Sequence, residues 1–306
     1  MKPEKALLAV LAIAVASTLT SCYSAEEDVP EEPSPTLCEV TLRHNAFNFY
    51  QEDYGGETRA ALTDVSAAKL KALTVCIYEN ENTLVFNETQ YRKNFTSNPG
   101  AFGIFTTDLP EGNYTLVSVG YESEDTPITL NSPSHVTLPQ PFIDAWSATE
   151  AITASTAGSV KKNLDLVLAV TQIVLTSTDL PTEDAAYVRI HLSAGSGKEF
   201  DPYTGNSINT SPNGDIVIPC SVSNFTNDDG YFVFDKSFLI PTTPADINVS
   251  FDILDSNKTV LRGYDLGSFS FKRGGVNRFT GPIFSAVGNF SFTATTNWEE
   301  YIYKEF

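Results

Sequence analysis

Histidine is scarce in this chain of 306 residues: His44, His135 and His191 are far apart and share no motif. No GxSxG elbow is present to supply a nucleophile, so hydrolase chemistry has no sequence support. Cysteine is limited to Cys22, Cys38, Cys76 and Cys220, with no CxxC or CxxH spacing, so a zinc site has none either. Tryptophan occurs only at positions 146 and 298, and both fit packing roles as well as a sugar-stacking platform. Basic residues are outnumbered two to one, 19 against 38 acidic, giving a net charge of −19 and a pI of about 4.4. Such a surface repels phosphate backbones and anionic headgroups, which excludes nucleic acid as a partner and direct adsorption to lipid. The longest apolar run, Ala6 to Ala16, is too short to cross about 30 Å of hydrocarbon as a permanent helix. No cofactor motif is present. Gly195-Ser196-Gly197-Lys198-Glu199 has Leu192 where a phosphate loop needs its first glycine and Glu199 where it needs Ser or Thr. It reads as a hairpin turn. Asn227-Asp228-Asp229-Gly230 lacks the spacing and closing Glu of a calcium loop and reads as a plain turn.

What is present begins at the N-terminus. Lys2 and Lys5 precede the apolar run, and Leu19-Thr20-Ser21-Cys22 follows it. This arrangement resembles the lipobox of bacterial lipoproteins, with residues 1–21 as signal peptide and Cys22 as the acylated first residue. Acyl chains contribute about 0.8 kcal/mol per buried CH₂, so several of them hold a soluble domain on a membrane. Residues 22–36 are acidic and proline-rich (Glu26-Glu27-Asp28-Val29-Pro30-Glu31-Glu32-Pro33), the composition of a solvated tether. The acidic residues after Cys22 resemble the surface-export signal of Bacteroidota lipoproteins. With Cys22 acylated three thiols remain, and Cys38 and Cys76 both fall in strand-like segments. Two readings stand, a Cys38–Cys76 disulfide in an oxidising compartment or three buried free thiols.

Strand signals dominate the rest. Ile247, Val249, Phe251 and Ile253 alternate with polar residues, the period of a strand with one buried face. Leu164, Leu166, Leu168 and Val170 form a second row, and residues 289–295 a third. Turn residues separate the rows at 110–113, 255–257 and 274–275. Helix is predicted only over Asp64–Leu73 and Phe142–Thr149. The chain therefore reads as all-β, two antiparallel sandwiches. The small-residue run Ile152 to Ser159 places the boundary near residue 158, giving domains 37–157 and 158–306.

Several segments carry a family resemblance. Leu109-Pro110-Glu111-Gly112-Asn113-Tyr114, the strand from Val160 to Ile173, and Gly275-Val276-Asn277-Arg278-Phe279-Thr280-Gly281 resemble elements of the fimbrillin superfamily of Bacteroidales pili. The resemblance covers nearly the whole mature chain through loose motifs. It implies transthyretin-like sandwiches, no catalysis, an outer-membrane lipid anchor, and other fimbrial subunits as partners, with host or bacterial surface ligands beyond them. In that family an arginine cut releases the first strand, and a neighbour's C-terminal strand fills the groove. Arg59, in a glycine-rich loop, is the matching cut site; a solvated linker arginine is the plain alternative. The C-terminal row places Phe290, Phe292, Ala294 and Trp298 on one face, suited to a donor strand or to an edge strand of its own domain. Outside the resemblance, a surface glycan- or nutrient-binding lipoprotein is the competing function.

Overall fold

The computed structural model describes residues 36–44, 69–80, 83–195, 197–209, 215–220, 232–285 and 291–295. Thr36–Phe306 clusters as one compact unit. Its strands are β1 (Leu37–His44), β2 (Ala72–Asn80), β3 (Thr83–Tyr91), β4 (Ile104–Pro110), β5 (Gly112–Tyr121), β6 (Thr129–Ser132), β7 (His135–Thr137), β8 (Ala145–Ala154), β9 (Val160–Leu164) and β10 (Val167–Leu168). They continue as β11 (Thr171–Ser177), β12 (Tyr187–Leu192), β13 (Glu199–Phe200), β14 (Ile216–Pro219), β15 (Phe232–Phe238), β16 (Ala245–Leu254), β17 (Val260–Phe271), β18 (Val276–Gly281) and β19 (Ser291–Thr295). The first sandwich sets a three-stranded sheet, β4-β1-β9, against a five-stranded one, β10-β8-β5-β2-β3. The second pairs β15-β11-β18-β19 with β14-β12-β16-β17. A small fifth sheet runs β13-β7-β6.

The two sandwiches repeat one topology. In the first, β1 lies between antiparallel β4 and parallel β9, while β2 lies between β3 and β5, and β5 pairs onward to β8. In the second, β11 lies between antiparallel β15 and parallel β18, while β12 lies between β14 and β16, and β16 pairs onward to β17. Seven strands thus correspond one to one. The expected antiparallel architecture holds apart from the parallel pairs β1–β9 and β11–β18. Strands β6, β7 and β13 are insertions into the repeat.

Burial follows from how many faces of a sheet are covered. Strand β16 shows the period-two pattern, with Ile247, Val249, Phe251 and Ile253 buried and polar residues between them. Strands β2 and β5 do not alternate, because both their faces are packed. Leu73, Val75, Ile77 and Leu116 join the core between the sheets of the first sandwich, with Val40, Leu42, Phe105 and Ile152. Ala72, Cys76, Val117, Val119 and Tyr121 point the other way, into a cluster with Val136, Leu138 and Phe200 under the small sheet.

The structure departs from the sequence pattern at several places. Residues 64–68 of the first predicted helix lie outside the described residues, and Ala72 and Leu73 open β2 instead. The second predicted helix is occupied by β8 from Ala145, where pairing with Tyr121 outweighs local propensity. The leucine row 164–170 is not one strand. It ends β9, supplies β10 and leads into β11, touching three sheets in succession. Strands β9 and β10 lie past residue 158 yet pair within the first sandwich, so the sheets change over at residues 169–170, and the small-residue run ends β8 and then supplies, over residues 155–159, the turn into β9. The Pro110–Gly112 turn is a corner between two sheets, with β4 paired to β1 and β5 to β2. The Gly195–Glu199 stretch leads β12 into β13, which pairs with β7, so it closes no hairpin.

If β5 is packed on both faces, truncation on either side should cost the same order of stability. Leu116→Ala, in the inter-sheet core, and Leu138→Ala, under the small sheet, should each lower the unfolding free energy by about 2–5 kcal/mol in urea titration. A near-zero effect of Leu138→Ala would mean that the small sheet does not cover β5.

Candidate functional site

Strand β1 occupies the middle of its sheet. Leu37 through Arg43 pair antiparallel with Pro110 through Ile104, and Val40 through His44 pair parallel with Val160 through Leu164. Cys38, Val40, Leu42 and His44 face inward, while Leu37, Glu39 and Arg43 are exposed. Burying the Val40 and Leu42 side chains is worth roughly 1.5–3 kcal/mol each. Removing this strand would open an apolar trough and strip hydrogen-bond partners from both β4 and β9, which is the geometry of an acceptor for an added strand.

The C-terminal end of β1 carries a latch that sequence reading missed. The His44 amide and the His44 Nδ1–H both donate to the Gly103 carbonyl at 2.9 Å. A carbonyl only accepts, so Nδ1 holds the proton, and Nε2 accepts the Ser118 hydroxyl at 2.9 Å. The ring meets Phe105 edge-on, with centroids 5.6 Å apart. Burial pushes the imidazole pKa down to about 4, against a weaker opposing pull from the Gly103 carbonyl. Gly103 has φ +87°, a conformation that favours glycine, and an added Cβ would lie 3.4 Å from His44 Cβ. At the other end of β1, the Cys38 thiol donates to the Gly158 carbonyl at 3.0 Å.

Cys38 and Cys76 are free, and they face different clusters on opposite sides of β2 and β5. That separation is the physical reason the pairing between them is not made. Burial pushes the Cys76 and Cys220 thiols up to about 12, far from the thiolate form that reacts or binds metal. Cys22, Arg59, Phe290 and Trp298 lie outside the described residues. Phe292 and Ala294 fall in β19, which pairs antiparallel with β18, Phe292 opposite Phe279 and Ala294 opposite Asn277. Residues 291–295 of the C-terminal row thus lie at the edge of the β15-β11-β18-β19 sheet.

The polar outer face of β12, β14 and β16 holds the other histidine cluster. His191 Nδ1 lies 2.5 Å from Asp215 and Nε2 lies 2.9 Å from Asp252, while Arg189 Nε donates to Asp252 at 3.1 Å. No hydroxyl or thiol nucleophile is part of this set, which ties β12 to β16 and to the residue preceding β14. No group of three or more metal-ligating side chains occurs among the described residues. Trp146 is buried at 2% exposure, so it cannot form a sugar platform, and Tyr203 is the one aromatic among the described residues that stands largely in solvent.

The His44 geometry sets a pH dependence. Below pH 6.5 the unfolded chain takes up a proton that the folded site refuses until about pH 4, so acidification favours unfolding across that window. The stability lost should reach at most about 3 kcal/mol, from 1.36 kcal/mol per pKa unit. Urea titrations at pH 7.5 and 5 should show a smaller loss for His44→Gln than for wild type. Equal losses would mean that the ring is not held neutral.

No curated protein sequence matches the chain. Among solved structures, the fimbrial anchor protein Mfa2 from Porphyromonas gingivalis is 12% identical, with 80% of this chain and 91% of that chain covered and a TM-score of 0.43. A fimbrial assembly protein from Parabacteroides distasonis ATCC 8503 is 10% identical, with 86% and 98% covered and a TM-score of 0.42. The model of one protein family, described as fimbrillin-A associated anchor proteins Mfa1 and Mfa2, matches residues 31–299. Over that span, nearly the whole of its length, the chain belongs to the family of fimbrillin-A associated anchor proteins.

Proposed function

We propose that this protein is a cell-surface lipoprotein that anchors a fimbria, held in the outer membrane by acyl chains on Cys22 and joined to other fimbrial subunits by strand complementation. The observation that carries the reading is the family match over residues 31–299. An anchoring role requires that β1 stay in place, and its seat is firm. Its inward residues Cys38, Val40, Leu42 and His44 are all buried, and the His44 latch fixes the strand's end. A subunit that keeps this strand has no vacant groove for a neighbour and terminates a fibre instead of extending it. Retention of β1 and of the lipid belong together, because the cut at Arg59 that would release one would release the other. The acidic, proline-rich composition of residues 26–32 suits a solvated tether between lipid and domain.

Growth with an alkyne fatty acid should label the wild-type protein, and Cys22→Ala should lose both the label and membrane attachment. Mass spectrometry of the mature N-terminus should then find lipidated Cys22. An N-terminus at Ala60 would identify a processed, polymerising subunit and overturn the anchoring role.

The C-terminal segment separates two modes of assembly. Since β19 is seated on β18, deleting residues 287–306 should lower the melting temperature of the monomer. An unchanged melt with lost partner binding would instead make the segment a strand donated to a neighbour.

A further inference from the structure

The three insertions into the repeated topology meet at one place. β6 and β7 come from the first sandwich and β13 from the second, yet they form a single sheet, with Glu199 opposite Thr137 and Phe200 opposite Val136. The Leu138 amide extends this pairing by donating to the Lys198 carbonyl at 2.6 Å. Beneath the sheet, Ala169, Val170, Phe200 and Leu239 pack into one cluster with Val117, Val119 and Tyr121 of β5.

Beside that cluster Arg273, in the turn between β17 and β18, reaches across to the first sandwich. Its Nε donates to the Leu168 carbonyl at 2.6 Å, and its Nη2 faces the Ser147 hydroxyl at 3.3 Å and the Val167 carbonyl at 3.4 Å. Its Nη1 donates to the Thr204 carbonyl at 2.9 Å, in the loop after β13. One planar fork therefore binds β8, β10 and the β13 loop together. The site is reserved for it: Gly205 has φ +70°, and an added Cβ would lie 2.6 Å from the guanidinium carbon. The next residue continues the junction, as the Gly274 amide donates to the Val170 carbonyl at 2.8 Å. A second polar joint lies nearby. Asp144, 2% exposed, receives Lys69 Nζ at 2.9 Å and the Ser237 hydroxyl of β15. Burial works to lower the Lys69 pKa, and the adjacent carboxylate overrides it and holds the ammonium above its ordinary value.

We infer that Arg273 is a positioning residue that locks the two sandwiches at one fixed angle, so that they open together and a load on one passes to the other without a hinge. A lysine cannot replace it, because a single ammonium cannot span acceptors on three elements. Domains tied only by a linker move relative to one another by default, and here the fork, the shared sheet and the buried carboxylate remove that freedom.

Hydrogen exchange on the full mature chain reads this directly. In the wild type, β5 and β16 amides should open with equal constants, within about threefold, as one cooperative unit. In Arg273→Lys, and in Gly205→Ala, which displaces the fork without changing charge, the two constants should separate by on the order of tenfold or more. Calorimetry should then resolve two transitions where the wild type shows one. Common opening in both variants would overturn the inference and assign the coupling to the shared sheet alone. If a variant fails to fold, the wild-type exchange still decides: unequal constants for β5 and β16 would overturn it too.

Discussion

The arrangement depends on two central strands, β2 and β5, that are covered on both faces. Strands β2 and β5 are packed from below by the three-stranded sheet that holds β1 and from above by the small sheet. An antiparallel sheet ordinarily keeps one face wet, and its sequence then alternates. Here Leu73-Thr74-Val75-Cys76-Ile77-Tyr78 sends apolar side chains both ways, so it demands two covers. The first cover is the ordinary partner of a sandwich. The second has to be assembled from insertions, one of them borrowed from the neighbouring half. Burial of β2 and β5 therefore forces the two halves into contact, and the Arg273 fork and the Asp144 joint settle at the rim of that contact, where polar groups must be satisfied once water is gone.

The same logic explains which parts of the fold were legible in the sequence. Strand β16 could be read directly, because one face is core and the other is solvent, and the residues report it. The all-β class followed from several such rows. The turn at residues 255–257 was legible for a local reason: Asp255 Oδ1 accepts from the amides of Asn257 and Thr259, chemistry contained within five residues. The leucines at 164, 166 and 168 misled, since equal spacing persists while the chain crosses from sheet to sheet. The His44 latch was out of reach, because its partners lie 59 and 74 residues away and look unremarkable on their own: a glycine and a serine. The Arg273 site hides for the same reason, as backbone carbonyls carry no signature in a sequence.

An all-β protein must keep its exposed edges from pairing at random, and the edges here show how this is done. Strand β9 presents the exposed Lys161 beside Lys162, and charge on an edge opposes an incoming strand. Strand β17 is twelve residues long and would otherwise be the most inviting edge, but its register with β16 shifts between Val249 and Ser250 and again at Leu254, and Gly267 there takes φ +90°. Strand β3 exposes Leu84 and Val85, yet its pairing with β2 breaks register twice near that end. Strands β10 and β14 are too short to template much. In the second sandwich β19 covers β18, while the corresponding strand β9 in the first has only its lysines. Bulges bend an edge out of the plane a new strand would need, and lysines make its burial costly. Backbone groups and an apolar trough coincide at the seat of β1, and that seat is filled by the chain's own strand, paired on both sides.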